Sequence, residues 1–148
     1  MGTRPGRVLG VVIGAVVALA VVAAALASTR PATTWDRRSP EGALQAYLAA
    51  VLDADAAEAA GYLSTQSPCD VRDLEGADVT DTVRVDLVGT TVEGGNARVR
   101  VELTRSTGGG PLDSSYTEEH TFRLTRTDAG WRLVGSPWPL HDCAGGVK

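Results

Sequence analysis

Val83-Arg84-Val85-Asp86-Leu87, then Glu93-Gly94-Gly95-Asn96, then Ala97-Arg98-Val99-Arg100-Val101-Glu102-Leu103 form a stretch with a period of two. Apolar residues alternate with charged ones, so each segment has one face for a core and one for water. The Gly-Gly-Asn between them suits a tight hairpin turn. Farther on, the strand from Ser114 to Arg126 places Glu118, His120, Phe122 and Leu124 on one face. Gly108-Gly109-Gly110-Pro111 is a longer connection into it, and Thr127-Asp128-Ala129-Gly130 is a turn out of it. Trp131 and Leu133 open a last strand. The spacing therefore predicts an antiparallel meander of four or more strands.

Upstream the period changes. Leu44, Tyr47, Leu48 and Val51 fall at i, i+3, i+4 and i+7, the apolar stripe of a helix. Ser39-Pro40-Glu41 before it supplies a capping hydroxyl, a proline for the first helical position and a carboxylate for the helix dipole. Asp55-Ala56-Ala57-Glu58 reads as a capping box for a second helix running to about Tyr62. A third turn from Asp70 to Glu75 closes at Gly76. Helices first and then a meander give an α+β domain, with two to three helices on one face of a curved antiparallel sheet.

Val8–Ala27 holds 20 uncharged residues, all apolar except Gly10 and Gly14. At about 1.5 Å per residue it spans roughly 30 Å, one bilayer core. It reads as a transmembrane signal-anchor, with residues 1–7 as a cytoplasmic tail, 28–39 as a linker, 40–143 as an extracytoplasmic domain and 144–148 as a tail. Ala25-Leu26-Ala27 is also a cleavage pattern, so secretion after Ala27 is the alternative. The flanks carry similar positive charge. The short tail and the placement of both cysteines favour an exported C-terminal part. Gly10 and Gly14 make a G-x-x-x-G face that a homodimer could use. Trp35 in the linker suits either the membrane interface or the domain surface.

After the apolar run the chain carries 12 basic and 18 acidic residues. That balance argues against nucleic acid as a partner, since phosphate contacts supply most of such affinity. The length excludes multi-domain enzymes and multi-pass transporters. No P-loop, dinucleotide-binding glycine motif, HExxH or G-x-S-x-G occurs, so no cofactor or metal is expected. Cys69 and Cys143 lack a C-x-x-C or zinc spacing. The reading is a disulfide that ties the C-terminal tail to the helical layer, worth about 4 kcal/mol on the chain-entropy estimate. Arg84, Arg98, Arg100 and Arg123 share the polar sheet face with Asp86, Glu102 and Glu119, which suggests cross-strand ion pairs. His141 reads as a surface residue without companions.

Ser39-Pro40-Glu41 leading to Ala46-Tyr47-Leu48, the Asp-containing break, the alanine-rich second helix, and the ending Asp128-Ala129-Gly130-Trp131-Arg132-Leu133 resemble nuclear transport factor 2-like domains over residues 39–140. The anchor, linker and domain layout is similar to Mce-associated membrane proteins of high-GC bacteria and to anchored subunits of type IV secretion systems. The resemblance implies a cone-shaped barrel around helices, often pocketed and often dimeric. It implies an accessory that binds a partner protein or apolar ligand at the cell envelope, without catalysis. It also implies the competing class, small pocket enzymes of the ketosteroid isomerase and SnoaL-like polyketide cyclase type. Those pair a carboxylate or imidazole base with a tyrosine in an apolar pocket. Here the candidates are His120 and Glu118 on their strand, with Tyr47 or Tyr62 from the helices. A core role explains Tyr47, and a core or rim role explains His120, more simply than catalysis does.

Overall fold

The computed structural model describes residues 12–13, 15–16, 33–77, 79–107, 114–141 and 143. The chain divides into two units, the second of which starts at Trp35 and holds the helices and the sheet. Among the described residues no helix is long and apolar enough to cross a membrane. The expected span Val8–Ala27 lies outside them, apart from Val12, Ile13, Ala15 and Val16, which are helical and exposed. Gly10, Gly14, the Gly108–Pro111 connection and the 144–148 tail also lie outside them.

Helix α1 is Pro40–Leu52. The Ser39 hydroxyl accepts the Gly42 N–H at 3.1 Å, as its position before Pro40 predicts. Leu44, Tyr47, Leu48 and Val51 are all buried. The turn Asp36–Ser39 lies across the first turn of α1 and closes on an Asp36 carbonyl that accepts from Ser39 N–H at 2.8 Å. Gly42 leaves room for it, because a Cβ there would run into the Asp36 carbonyl. Trp35 is tied to the same helix through its N–H, which donates to Gln45 Oε1 at 3.0 Å.

Helix α2 is Ala56–Ala60, shorter than the run to Tyr62 that the alanines suggest. Asp55 caps it, accepting the Glu58 N–H at 2.9 Å. The reciprocal arm of the expected box does not form, because the Asp55 N–H already donates to the Ala50 carbonyl at 2.9 Å. The helix stops where the chain is captured by the sheet: Leu133 N–H donates to the Tyr62 carbonyl, and Ser64 N–H donates to the Leu133 carbonyl, both at 2.8 Å. Helix α3 is Val71–Glu75, and here the full capping box is present, between Asp70 and Asp73.

Strands β1 (Thr82–Glu93), β2 (Asn96–Thr107), β3 (Ser114–Thr127) and β4 (Gly130–Val134) form one antiparallel sheet in the order β1-β2-β3-β4. Gly94 has φ 55° and Gly130 φ 102°, so both hairpin turns use the left-handed conformation that glycine adopts without strain. The barrel expected from the resemblance is not closed. Among the described residues β1 and β4 are the two outer strands of an open sheet, and β4 is only five residues long. Its outer edge is met instead by the parallel bridge Leu63↔Leu133.

The alternation holds along β2, where Ala97, Val99, Val101 and Leu103 are buried. Along β1 it slips once. Leu87 faces Val101 and Gly89 faces Arg100, so Val88 is an extra residue, a β-bulge. Thr90 and Val92 thereby join Val83, Val85 and Leu87 on the inner face. Tyr47, Val99, Leu103 and Leu133 are 0 % exposed and fill the space between sheet and helices.

The C-terminal segment after β4 completes this core with Trp138 and Leu140, both buried. The disulfide Cys69–Cys143 joins it to the stretch between α2 and α3, across 74 residues of sequence and with Cα atoms 5.3 Å apart. The tail is therefore tied to the helical layer, as the two cysteines predict.

Candidate functional site

The inner sheet face changes character along its length. At the hairpin end it presents Ala97, Leu124 and Leu133. At the other end the inward positions hold Arg105, Glu118 and His120, opposite Tyr116, Leu103 and Val101 respectively. Glu118 is the hub of this polar end. Its Oε1 lies 2.9 Å from Arg105 and 2.9 Å from His120 Nε2. The Arg105 guanidinium sits over the Trp138 ring, 5.5 Å from its centroid. His120 stacks against His141, with centroids 5.5 Å apart and planes within 27°. The Glu118 carboxyl is held below the ordinary carboxylate range, first by His120 against the pull of burial, then by Arg105 and His141.

His141 thus has a companion, contrary to its reading as an isolated surface residue. It is exposed, but the segment that carries it folds back over β3. A notch of about 190 Å³ lies there, lined by His120, Phe122, Arg123, Ser136, Trp138 and His141 among others. Arg105, Trp138 and His141 complete the cluster, and sequence reasoning did not place them in it. Arg105 carried a signal: it continues the inward register of Val101 and Leu103, where a charged residue needs a partner. Trp138 and His141 carried none, since their position depends on the path of the tail.

The two tyrosines do not join the carboxylate and imidazole. The Tyr47 hydroxyl donates to the Trp138 carbonyl at 3.2 Å, and burial pushes its pKa up. Tyr62 is half-buried beside β4, with the Arg132 guanidinium 6.0 Å above its ring. Among the described residues no hydrogen bond links either hydroxyl to Glu118 or His120.

A second cavity, about 250 Å³, opens between the helices. Its described walls are Val51, Leu52, Ala54, Ala56, Ala59, Leu74, Ala77, Val79 and one ionisable residue, Glu75. It shares no lining residue with the Glu118–His120 cluster. Ala54 in its wall has φ 56°, the one positive φ outside glycine among the described residues. Cys69, Cys143 and Asp73 also come together. They do not offer a metal site, because both sulfurs are bonded to each other and Asp73 closes the α3 capping box.

The outer face is charged as expected, but the pairs differ. Arg84 binds Asp86 on its own strand at 2.7 Å, and Arg100 meets Glu119 across strands at 3.8 Å. Asp86, Glu102 and Glu119 lie in one register row, and Arg98 faces Arg123 directly.

No family model and no curated protein matches the chain. Solved structures do. A protein described as a calcium/calmodulin-dependent protein kinase type II association domain, from Thiobacillus denitrificans, superposes with a TM-score of 0.55 at 15% identity, covering 72% of this chain and 94% of its own. A SEC-C motif containing protein from Rhodopseudomonas palustris gives 0.55 at 17% identity, over 74% and 81%. A protein from Novosphingobium aromaticivorans, described as nuclear transport factor 2-like with a cystatin-like fold, gives 0.52 at 18% identity, over 68% and 78%. The fold is nuclear transport factor 2-like. At these identities the likeness concerns the fold alone.

Proposed function

We propose that the chain is a single-pass, membrane-anchored protein whose extracytoplasmic domain binds a partner protein or an apolar ligand without catalysis, as an accessory of a cell-envelope transport or secretion complex. The anchor rests on the uncharged run Val8–Ala27. The export of the domain rests on the disulfide, which belongs to oxidising compartments.

One observation carries the non-catalytic reading. The space between sheet and helices is filled by Tyr47, Val99, Leu103 and Leu133, so the base-bearing cluster and the apolar cavity are separate places. Proton abstraction beside a carbonyl needs them to be one place. Binding does not. The 250 Å³ cavity has the aliphatic walls for an apolar ligand. Leu87, Val88 and Val92 on the outer strand β1 are 38 %, 46 % and 55 % exposed, apolar surface on a sheet edge that suits a protein partner.

The test is affinity capture of the C-terminally tagged chain from cross-linked membranes, read by mass spectrometry of the proteins and of extracted lipid. Recovery of envelope transport or secretion subunits, reduced by Val88→Glu, supports the partner reading. Stoichiometric lipid lost on Ala59→Trp supports the apolar ligand. A chain recovered in the soluble fraction, with neither, overturns the proposal.

A further inference from the structure

The cluster on the polar end of the inner face has the donor set of a metal site. Glu118 and His120 stand two residues apart on β3, so both side chains leave the same face. Their Oε1 and Nε2 atoms are 2.9 Å apart, yet Nε2 is buried and has no hydrogen-bond partner among the described residues. An imidazole nitrogen and a carboxylate oxygen that close, without hydrogen-bond alignment, match two ligands of one cation. Two ligands on a tetrahedral zinc ion lie about 3.3 Å from each other, and two imidazoles on it have ring centres about 5 Å apart. The His120 and His141 rings are 5.5 Å apart.

The surroundings support the same use. Arg105 meets the same Glu118 Oε1 as His120 does, also at 2.9 Å, and is itself packed on Trp138. That is the outer contact which orients a ligating carboxylate. His141 lies in a turn closed by the Cys143 N–H to the Leu140 carbonyl at 3.2 Å. The disulfide at Cys143 fixes that turn two residues beyond His141. As the rings stand, the donor atoms of Glu118, His120 and His141 are not all within 4.8 Å of one another, so joint ligation requires the exposed His141 side chain to turn toward the other two.

We infer that Glu118, His120 and His141 bind one divalent late first-row ion of the zinc class, leaving a fourth position open to water or to a donor from a partner. Two neutral imidazoles and one carboxylate favour zinc, copper or nickel over magnesium or calcium. The inference does not rest on the membrane or partner reading, and the measurement below is blind to both.

The full chain, purified in detergent with a tag free of histidine, is titrated with zinc chloride, and retained metal is counted by plasma mass spectrometry. The expected result is one zinc per chain, not displaced by hundred-fold magnesium. Cobalt(II) in its place should give the visible absorption of a tetrahedral site. His141→Ala should weaken binding at least ten-fold. Because His141 is exposed, this variant should keep the wild-type circular dichroism and apo melting temperature. Glu118→Gln should weaken binding as well. No saturable uptake, or uptake unchanged in a folded His141→Ala chain, overturns the inference.

Discussion

The Tyr47 hydroxyl donates to the Trp138 carbonyl 3.2 Å away, joining helix α1 to a segment 91 residues later in the sequence. The bond engages the hydroxyl proton of this tyrosine within the core. Tyr47→Phe keeps the ring and leaves the carbonyl without its donor. The expected loss is about 1 kcal/mol of stability, read as a lower urea midpoint with an unchanged slope. No loss would mean that the bond is absent in solution.

Gly42 lets the Asp36–Ser39 turn close over α1. In Gly42→Ala the new methyl meets the Asp36 carbonyl, which is backbone and cannot rotate away. Overpacking of this kind destabilises by about 1–3 kcal/mol. Ala46→Gly, on the same helix, should lose about 1 kcal/mol through helix propensity. Comparing the two thermal melts separates the clash from helix propensity.

Burial works to raise the Glu41 pKa. The neighbouring Thr90 hydroxyl, its own backbone and Ser39 outweigh that and hold it below the ordinary 4.5. A carboxylate with a lowered pKa in the fold contributes stability that is present above its unfolded pKa. That contribution is lost as pH falls through the folded value. The stability gap between wild type and Glu41→Gln should therefore be full at pH 6 and shrink below about pH 4.5. A gap that stays constant down to pH 3 contradicts the assignment.

Arg98 faces Arg123 on neighbouring strands, a like-charge pair. Arg98→Glu turns it into an opposite-charge pair and should stabilise the domain by about 0.2–1 kcal/mol. The gain should fade in 1 M sodium chloride, where the Debye length is about 3 Å. A gain that persists at that salt would point to packing instead.

The sequence made much of this fold legible. The Leu44–Val51 stripe, the Ser39 cap and the Gly94-Gly95 turn each rest on contacts within a few residues, and each formed as read. The Cys69–Cys143 pairing was legible too, because only two cysteines exist. What escaped depends on contacts distant in sequence. The sheet stays open because β4 is short and Tyr62–Ser64 takes its edge, a capture that shortens α2 and leaves no local mark. The bulge at Val88 is invisible because a valine there looks like any strand residue. Half of the polar cluster was legible, since Glu118 and His120 alternate with Phe122 and Leu124. The other half was not. Arg105 lies just past the apolar alternation that ends at Leu103, and His141 reaches His120 only because Tyr47, Arg105 and the disulfide fix the path of the tail.

The extra residue at Val88 makes β1 a strand that can lose one residue at the bulge, and nowhere else, without turning its side chains over. Substituting Val88 alters one exposed side chain. Deleting it would remove the bulge and leave the pairing intact, with Gly89 opposite Arg100, Thr90 opposite Val99 and Val92 opposite Ala97, whereas deleting a residue elsewhere in the strand would turn every later side chain to the opposite side. In homologous chains a one-residue shortening of this strand should accordingly fall between Leu87 and Thr90 rather than elsewhere along it.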